Sequence, residues 1–218
     1  MGVEVAIVDY GTSNLFSVRR SFEYCGAKVV VSDDSEVLLS AQRLVLPGVG
    51  AFADGMRGLI ERKLDRVVVK FADSGKPLLG ICLGMQMLAG ISEEFGEHKG
   101  LDIIPGRVRP IPNKTISGES RKIPHIGWSG LLLPKGLSGW EGSILQGLTP
   151  GDAIYLIHSF AVQPDNEAHR LADCNYGGWM ISAAIRRENV YGAQFHPEKS
   201  GPVGLQIIRN FLSGLGHL

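Results

Sequence analysis

The chain has 218 residues, 44% hydrophobic and 20% charged, with 22 basic and 22 acidic side chains and a formal net charge of zero. That length suffices for one well-buried domain, expected to span 1–218, and the even charge balance gives no reason to expect nucleic acid or an anionic membrane as partner. The three cysteines, Cys25, Cys82 and Cys174, lack the spacing of a zinc site or a disulfide framework, and no stretch reads as a signal peptide or a membrane span, so the expected setting is a reducing cytoplasm.

In chain order, Val3–Tyr10 is a short β-rich run ended by Gly11. Leu15, Val18, Phe22 and Cys25 then recur at helical spacing up to Gly26, a plausible stop. Residues 27–34 read as a second strand, 35–41 as a short helix, 43–48 as a third strand, and 52–75 as one long helical stretch. A fourth strand, 76–82, leads into a helix over 83–90. Beyond Gly100 the apolar runs shorten and are broken by Pro and Gly; Asp152–Val162 and Asn189–Glu198 are the clearest strands, and 200–215 is a final helix with Val203, Ile207, Ile208 and Phe211 on one face. Pro112–Ser120 and Pro134–Ser143 are expected to be exposed loops. Strands alternating with helices imply a mostly parallel central sheet with helices on both faces, and the C-terminal half adds antiparallel strands. The expected class is therefore α/β, flavodoxin-like.

Cys82 stands where the fourth strand turns into a helix, between Gly80 and Gly84. A sharp strand-to-helix corner of this kind raises one residue above the sheet, and its crowded backbone requires small neighbours. The unpaired N–H groups and dipole of a helix start favour thiolate over thiol, and the thiolate is the attacking form. Taken alone, the cysteine is as well explained as core filling. Cys25, on the apolar stripe of a helix, and Cys174, in the irregular stretch "DCNYGG", have no such corner.

A nucleophilic cysteine needs a base, and the base an orienting group. His196 ends a strand, and Glu198 lies two residues on, across Pro197. In extended backbone, i and i+2 point the same way, which lets the carboxylate reach the imidazole. His98, His169 and His217 lie in polar or terminal stretches and are expected to be solvated. Acyl chemistry also needs donors for a developing oxyanion. The loop "LPGVGAF" follows the third strand at the same sheet edge, where Gly48 and Gly50 allow the backbone close to a ligand. One N–H of this loop and that of Leu83 can bracket the oxyanion.

Together, "GICLGMQ", "PGVGAF" and "HPE" resemble the class I glutamine amidotransferases over nearly the whole chain. The opening "IVDYG…NL.SV…G" and "PHIGW" (Pro124–Trp128) are similar to one branch, the glutaminase subunits of imidazole glycerol phosphate synthase in histidine biosynthesis. The resemblance implies Cys82 as nucleophile, His196 as general base and acid, and Glu198 as orienter. It implies Gly50 and Leu83 as oxyanion donors with Val49 beside them, and substrate contacts from Gly48, Gln86, Glu94, Ser159 and Phe160. His158 would neighbour the pocket and His125 a partner-facing loop, both structural. Ser13 and Ser129 depart from the residues usual in that family. Glutamine would be hydrolysed through a thioester, and ammonia passed to a cyclase, a (β/α)8 barrel, in a heterodimer; no metal or other cofactor is implied. Two alternatives stay open: a glutaminase of another pathway, such as anthranilate synthase, and a catalytically silent flavodoxin-like binding module.

Overall fold

The computed structural model describes residues 4–214. Val3 at the start of the first expected strand, Leu215 at the end of the last expected helix, and His217 lie outside the described residues. β1 (Val5–Val8) is fully buried at all four positions, as a strand covered on both faces must be. Its side chains alternate between two cores. Val5 and Ile7 join α1 (Leu15–Tyr24) on one face of the sheet; Ala6 and Val8 join α2 (Ser35–Ser40) on the other. Between those helices runs β2 (Val29–Ser32), and after them β3 (Arg43–Leu46).

The helical stretch expected over 52–75 is two helices, α3 (Phe52–Glu61) and α4 (Leu64–Asp73), with Lys63 at φ +60° between them. The reason is legible in the stripe: from Leu59 the positions three and four on are Arg62 and Lys63, both polar, and the apolar face restarts only at Leu64. β4 (Leu78–Ile81) enters α5, which spans only Leu83–Met87, shorter than the 83–90 expected, before the chain turns into β5 (Ile91–Ser92), β6 (His98–Lys99) and β7 (Gly106–Pro110).

The C-terminal half departs more from the pattern of its sequence. β8 (His125–Gly130) was not evident as a strand. The run 152–162 is not one strand: β9 (Ala153–His158) pairs with β8, whereas β10 (Phe160–Pro164) pairs with β7, and Ser159 is the handover between two sheets. Cys174 lies not in irregular chain but on β11 (Arg170–Tyr176), fully buried, where burial pushes its thiol up to about 12. β12 (Trp179–Arg187) follows through Gly177 and Gly178, both at positive φ, as a two-residue hairpin turn requires. Asp173 and Asn175 disguise β11; Arg170 Nη2 binds Asp173 at 2.7 Å, which makes the buried carboxylate tolerable. β13 (Val190–Ala193) and α6 (Gly201–Ser213) complete the chain, with Ile207, Ile208 and Phe211 buried.

The main sheet runs β11-β12-β13-β4-β3-β1-β2; β2 to β13 are mutually parallel, and β12 and β11 are an antiparallel extension. A four-stranded sheet, β10-β7-β5-β6, and the β8-β9 ribbon stand beside it. The loop 112–120 is largely exposed, but the loop 134–143 is anchored by buried Trp140, whose Nε1 donates to the Leu171 carbonyl at 2.8 Å. His98 and His169 are half-buried rather than solvated. Among the described residues no helix is long and apolar enough to cross a membrane.

Candidate active site

β4 ends at Ile81, and Cys82 adopts φ +53°, ψ −110°, a region that side chains rarely occupy. Such strain persists only where the surroundings enforce it. Here they do: Cys82 N–H donates to the Ala193 carbonyl at 2.7 Å, and its own carbonyl accepts Gln86 N–H at 3.2 Å. The glycines are obligatory on both sides. A Cβ at Gly84 would run into the Leu46 carbonyl of β3, and one at Gly80 would lie 2.8 Å from the Gly84 backbone. The thiol is left at the C-terminal edge of the parallel strands, 7% exposed.

His196 follows β13, which lies beside β4 with Ala193 opposite Ile81. Its N–H donates to the Tyr155 carbonyl at 3.0 Å, and its carbonyl accepts Ser200 Oγ–H at 2.7 Å. Glu198 reaches it as expected, with Oε1 2.7 Å from His196 Nδ1, although by a different route. Pro197–Lys199 form a single 3-10 turn, not a continuation of the strand. The same Oε1 accepts from Asn14 Nδ2 at 2.8 Å. Burial alone would lower the His196 pKa; hydrogen bonding and negative charge from Cys82 and Glu198 outweigh it and raise the ring to about 9. Burial likewise opposes ionisation of Glu198, but His196 and Asn14 hold its carboxyl below the usual carboxylate range. The pair is thus an imidazolium and a carboxylate at neutral pH, with Nδ1 of the ring engaged by Glu198 and Cys82 the ring's other partner.

A cavity of about 400 Å³ opens over Cys82 and His196, and Val49, Gly50, Leu83, Gln86, Glu94, Ser159 and Phe160 all line it. Gly48 does not. It packs beneath, where a Cβ would clash with the Tyr10 hydroxyl, and its carbonyl accepts Leu83 N–H at 3.3 Å. One of the two expected oxyanion donors is therefore already engaged. Gly50 sits at φ +101° with open space around its Cβ position. Glu94 Oε2 accepts Phe52 N–H at 2.5 Å and so caps α3, whose N-cap residue Ala51 has no side chain to do so. Ser159 and Phe160 contribute backbone at the handover between sheets: the Ser159 carbonyl accepts Ile111 N–H at 2.9 Å, and the Phe160 carbonyl accepts Gln86 Nε2 at 3.0 Å.

His158 lines the cavity, and burial drops its pKa to about 4; burial and then the charge of Arg121 do the same for His125. His125 lies on strand β8, buried and stacked on Tyr176 with ring centroids 3.8 Å apart, rather than on a loop. Ser129, one of the two departures noted above, is 3.0 Å from His125 Nε2. Three participants were missed from sequence: Asn14, Gln194, whose Nε2 is 3.8 Å from Cys82 Sγ, and Tyr10, whose hydroxyl donates to the Pro47 carbonyl at 2.7 Å below the glycine loop. Gln194 was detectable in principle, since it precedes His196 by two. Among the described residues no group of three or more His, Cys, Asp or Glu side chains is placed to hold a metal ion.

Chemically, a thiol, a charged imidazole and a buried carboxylate converge on a cavity that offers backbone amides and one acidic side chain, an arrangement fitted to acyl transfer. The family model of class-I glutamine amidotransferases matches residues 6–215. The chain is 51% identical over 208 residues to the imidazole glycerol phosphate synthase subunit HisH 1 of Legionella pneumophila (strain Paris), across 95% of this chain and 98% of that one. It is 44% identical over 210 residues to the HisH subunit of Aquifex aeolicus (strain VF5), across 96% of each. A solved glutamine amidotransferase shares the fold, with a TM-score of 0.72 at 19% identity over 97% of this chain and 98% of that one.

Proposed function

Because the chain belongs to the class I glutamine amidotransferases, and within them to the HisH type, we propose that Cys82, His196 and Glu198 are the catalytic triad of its glutaminase reaction. The protein is the glutaminase subunit of imidazole glycerol phosphate synthase; it hydrolyses glutamine and acts with a cyclase partner in histidine biosynthesis. The observation that carries the triad is the buried His196–Glu198 contact of 2.7 Å beside a cysteine held in a strained corner.

In the proposed sequence, the Cys82 thiolate adds to the side-chain amide carbon of glutamine, and the carbonyl electron pair moves to oxygen. His196, protonated, gives its proton to the amide nitrogen, and ammonia leaves as the carbonyl reforms as a thioester. The now neutral His196 takes a proton from water; hydroxide adds to the thioester, glutamate departs, and the thiolate and imidazolium are restored. Glu198 stays ionised and keeps Nδ1–H toward itself, which leaves Nε2 to carry the proton. The oxyanion is received by the N–H groups of Leu83 and Gly50, with Val49 beside them, once Leu83 N–H is released from the Gly48 carbonyl that holds it here. Glutamine is held by Gln86, Glu94 and the backbone at Ser159 and Phe160, and Gly48 shapes the loop from below. The partner cyclase is a (β/α)8 barrel that forms a heterodimer with this chain in the cytoplasm and receives the ammonia, and residues 1–218 act as one domain.

Replacing Cys82 with Ser tests the assignment. Serine is almost wholly protonated near neutral pH and changes volume little. The Cys82→Ser complex should make product from added ammonium salt and none from glutamine. Near-normal use of glutamine would overturn it.

A further inference from the structure

Gln194 is completely buried beyond the end of β13, and its side-chain amide lies between Gln86 and the Cys82 sulfur. Which end of that amide faces the sulfur matters: an N–H stabilises a thiolate, whereas a carbonyl oxygen repels it. Nitrogen and oxygen of an amide are told apart by their hydrogen-bond partners, and here the partners decide. The Phe160 carbonyl can only accept, so Gln86 must turn its nitrogen to it, at 3.0 Å. The second hydrogen of that nitrogen points to Gln194, 3.1 Å away, which must answer with oxygen. Gln194 is left with its nitrogen toward Cys82.

The Phe160 carbonyl is itself held from the other side. His158 Nδ1 lies 2.9 Å from it and must carry a hydrogen. A neutral ring then has Nε2 bare, and the His125 Nδ1 that faces it at 3.2 Å must be the donor. His125 Nε2 is bare in turn and accepts the Ser129 hydroxyl at 3.0 Å. Every link has one allowed direction, from Ser129 through His125 and His158 to the carbonyl. Burial keeps both rings neutral, with values near 4, so the direction holds across the working range of pH.

We propose that Gln194 is a further catalytic residue, donating its amide N–H to the Cys82 thiolate, and that His158, His125 and Ser129 are positioning residues that fix the carbonyl on which this orientation depends. The inference rests on Cys82 being the nucleophile. A hydrogen bond to a charged sulfur favours the thiolate wherever the thiol would otherwise be protonated.

The test is the rate of Cys82 alkylation by iodoacetamide across the pH range, read by peptide mass on the free subunit. Gln194→Leu keeps bulk and removes the donor. Its alkylation near neutral pH should slow about tenfold, as loss of one charge-assisted bond implies, and should meet the wild-type rate at high pH, where the thiol ionises unaided. His125→Phe preserves the stack on Tyr176 and should shift the profile the same way by less. His196, Glu198 and Tyr10, which also face or neighbour the sulfur, are retained in every variant, so the profiles are compared against the same set of charged groups. Nitrogen NMR of labelled histidines in the wild type should show His158 and His125 both protonated on Nδ1, a measurement that stands even if Gln194→Leu fails to fold. An Nε2–H tautomer at His158, or an unchanged profile in folded Gln194→Leu, overturns the proposal. Protection of wild-type Cys82 by glutamine reads the catalytic assignment separately: its absence sinks that assignment, whereas protection with an unchanged Gln194→Leu profile sinks only this inference.

Discussion

Asn14 and Glu198, 184 positions apart in the chain, are joined by a 2.8 Å hydrogen bond from the Asn14 amide to the carboxylate oxygen that also receives His196. Asn14 precedes α1 at φ +72°, a left-handed conformation that asparagine tolerates. Asn14→Gly keeps that backbone and removes only the donor. It should lower kcat about tenfold with little change in melting temperature. Losing a group that depresses the Glu198 pKa should also move the acid limb of the pH–rate profile upward. A profile superimposable on wild type would mean that the contact does not orient the triad.

Glu198→Gln should reduce kcat on the order of a thousandfold while the protein still folds and binds its partner. Its stability should respond to pH differently from wild type. His196 has its pKa raised from 6.5 to about 9, so the stability it contributes is whole below 6.5 and is lost as pH rises through 9. Glu198 has its pKa lowered, so its contribution is present above the ordinary carboxylate range and is lost as pH falls through the lowered value. Wild-type melting temperature should therefore decline between pH 6.5 and 9, and Glu198→Gln should flatten that decline. Calorimetry on both proteins over that window checks the sign.

Two glycines near the cysteine should separate folding from catalysis. Gly84→Ala drives a methyl into the Leu46 carbonyl, so the strand-to-helix corner must shift. The cost should be about 1–3 kcal/mol, a fall of roughly 2–12 °C in melting temperature for a chain of this size. Gly50→Ala meets no neighbour but forbids φ +101°. It should melt within a few degrees of wild type and lose glutaminase activity, because the Val49–Gly50 peptide is forced to rotate.

The Leu83 N–H is spent on the Gly48 carbonyl at 3.3 Å. A donor so engaged cannot receive an oxyanion, and one such donor is worth on the order of a hundredfold in rate. The free subunit should accordingly turn over slowly and accelerate steeply when the cyclase and its ligand are added. Steady-state glutaminase assays with and without them decide; equal rates would show that the loop does not limit the reaction.

The parallel strands and the cysteine corner were legible because each is a local pattern: buried runs such as Val5–Val8 stay apolar throughout, and the corner declares itself by two glycines around one residue. The His196–Glu198 pair was legible for the same reason, although the turn that joins them was not. Asn14 was invisible because its meaning lies 184 positions away. Gln194, just past the end of β13, carried only the weak signal of standing two positions before His196, because a lone glutamine after an apolar run has no pattern of its own. β11 carries Asp173 and Asn175, whose intrinsic preferences oppose a strand, and only the Arg170 partner and the pairing with β12 override them. The division of 152–162 at Ser159 had no signal in the apolar run, since it is set by which sheet each half finds.

The pairing of β13 with β4, Ala193 against Ile81, carries a consequence for how this chain can change over generations. Cys82 and His196, the proposed nucleophile and base, stand one and three positions past that pair, so their meeting depends on the count of residues beyond two neighbouring strands. A residue gained or lost between Ala193 and His196, where the chain leaves β13 through a bend, would change both the direction and the reach of the imidazole and break its register with Cys82. Substitutions in this stretch can be repaired one at a time, but a change in its length cannot, and lineages that retain the activity should accept insertions in the outer loop 134–143 long before they accept one here.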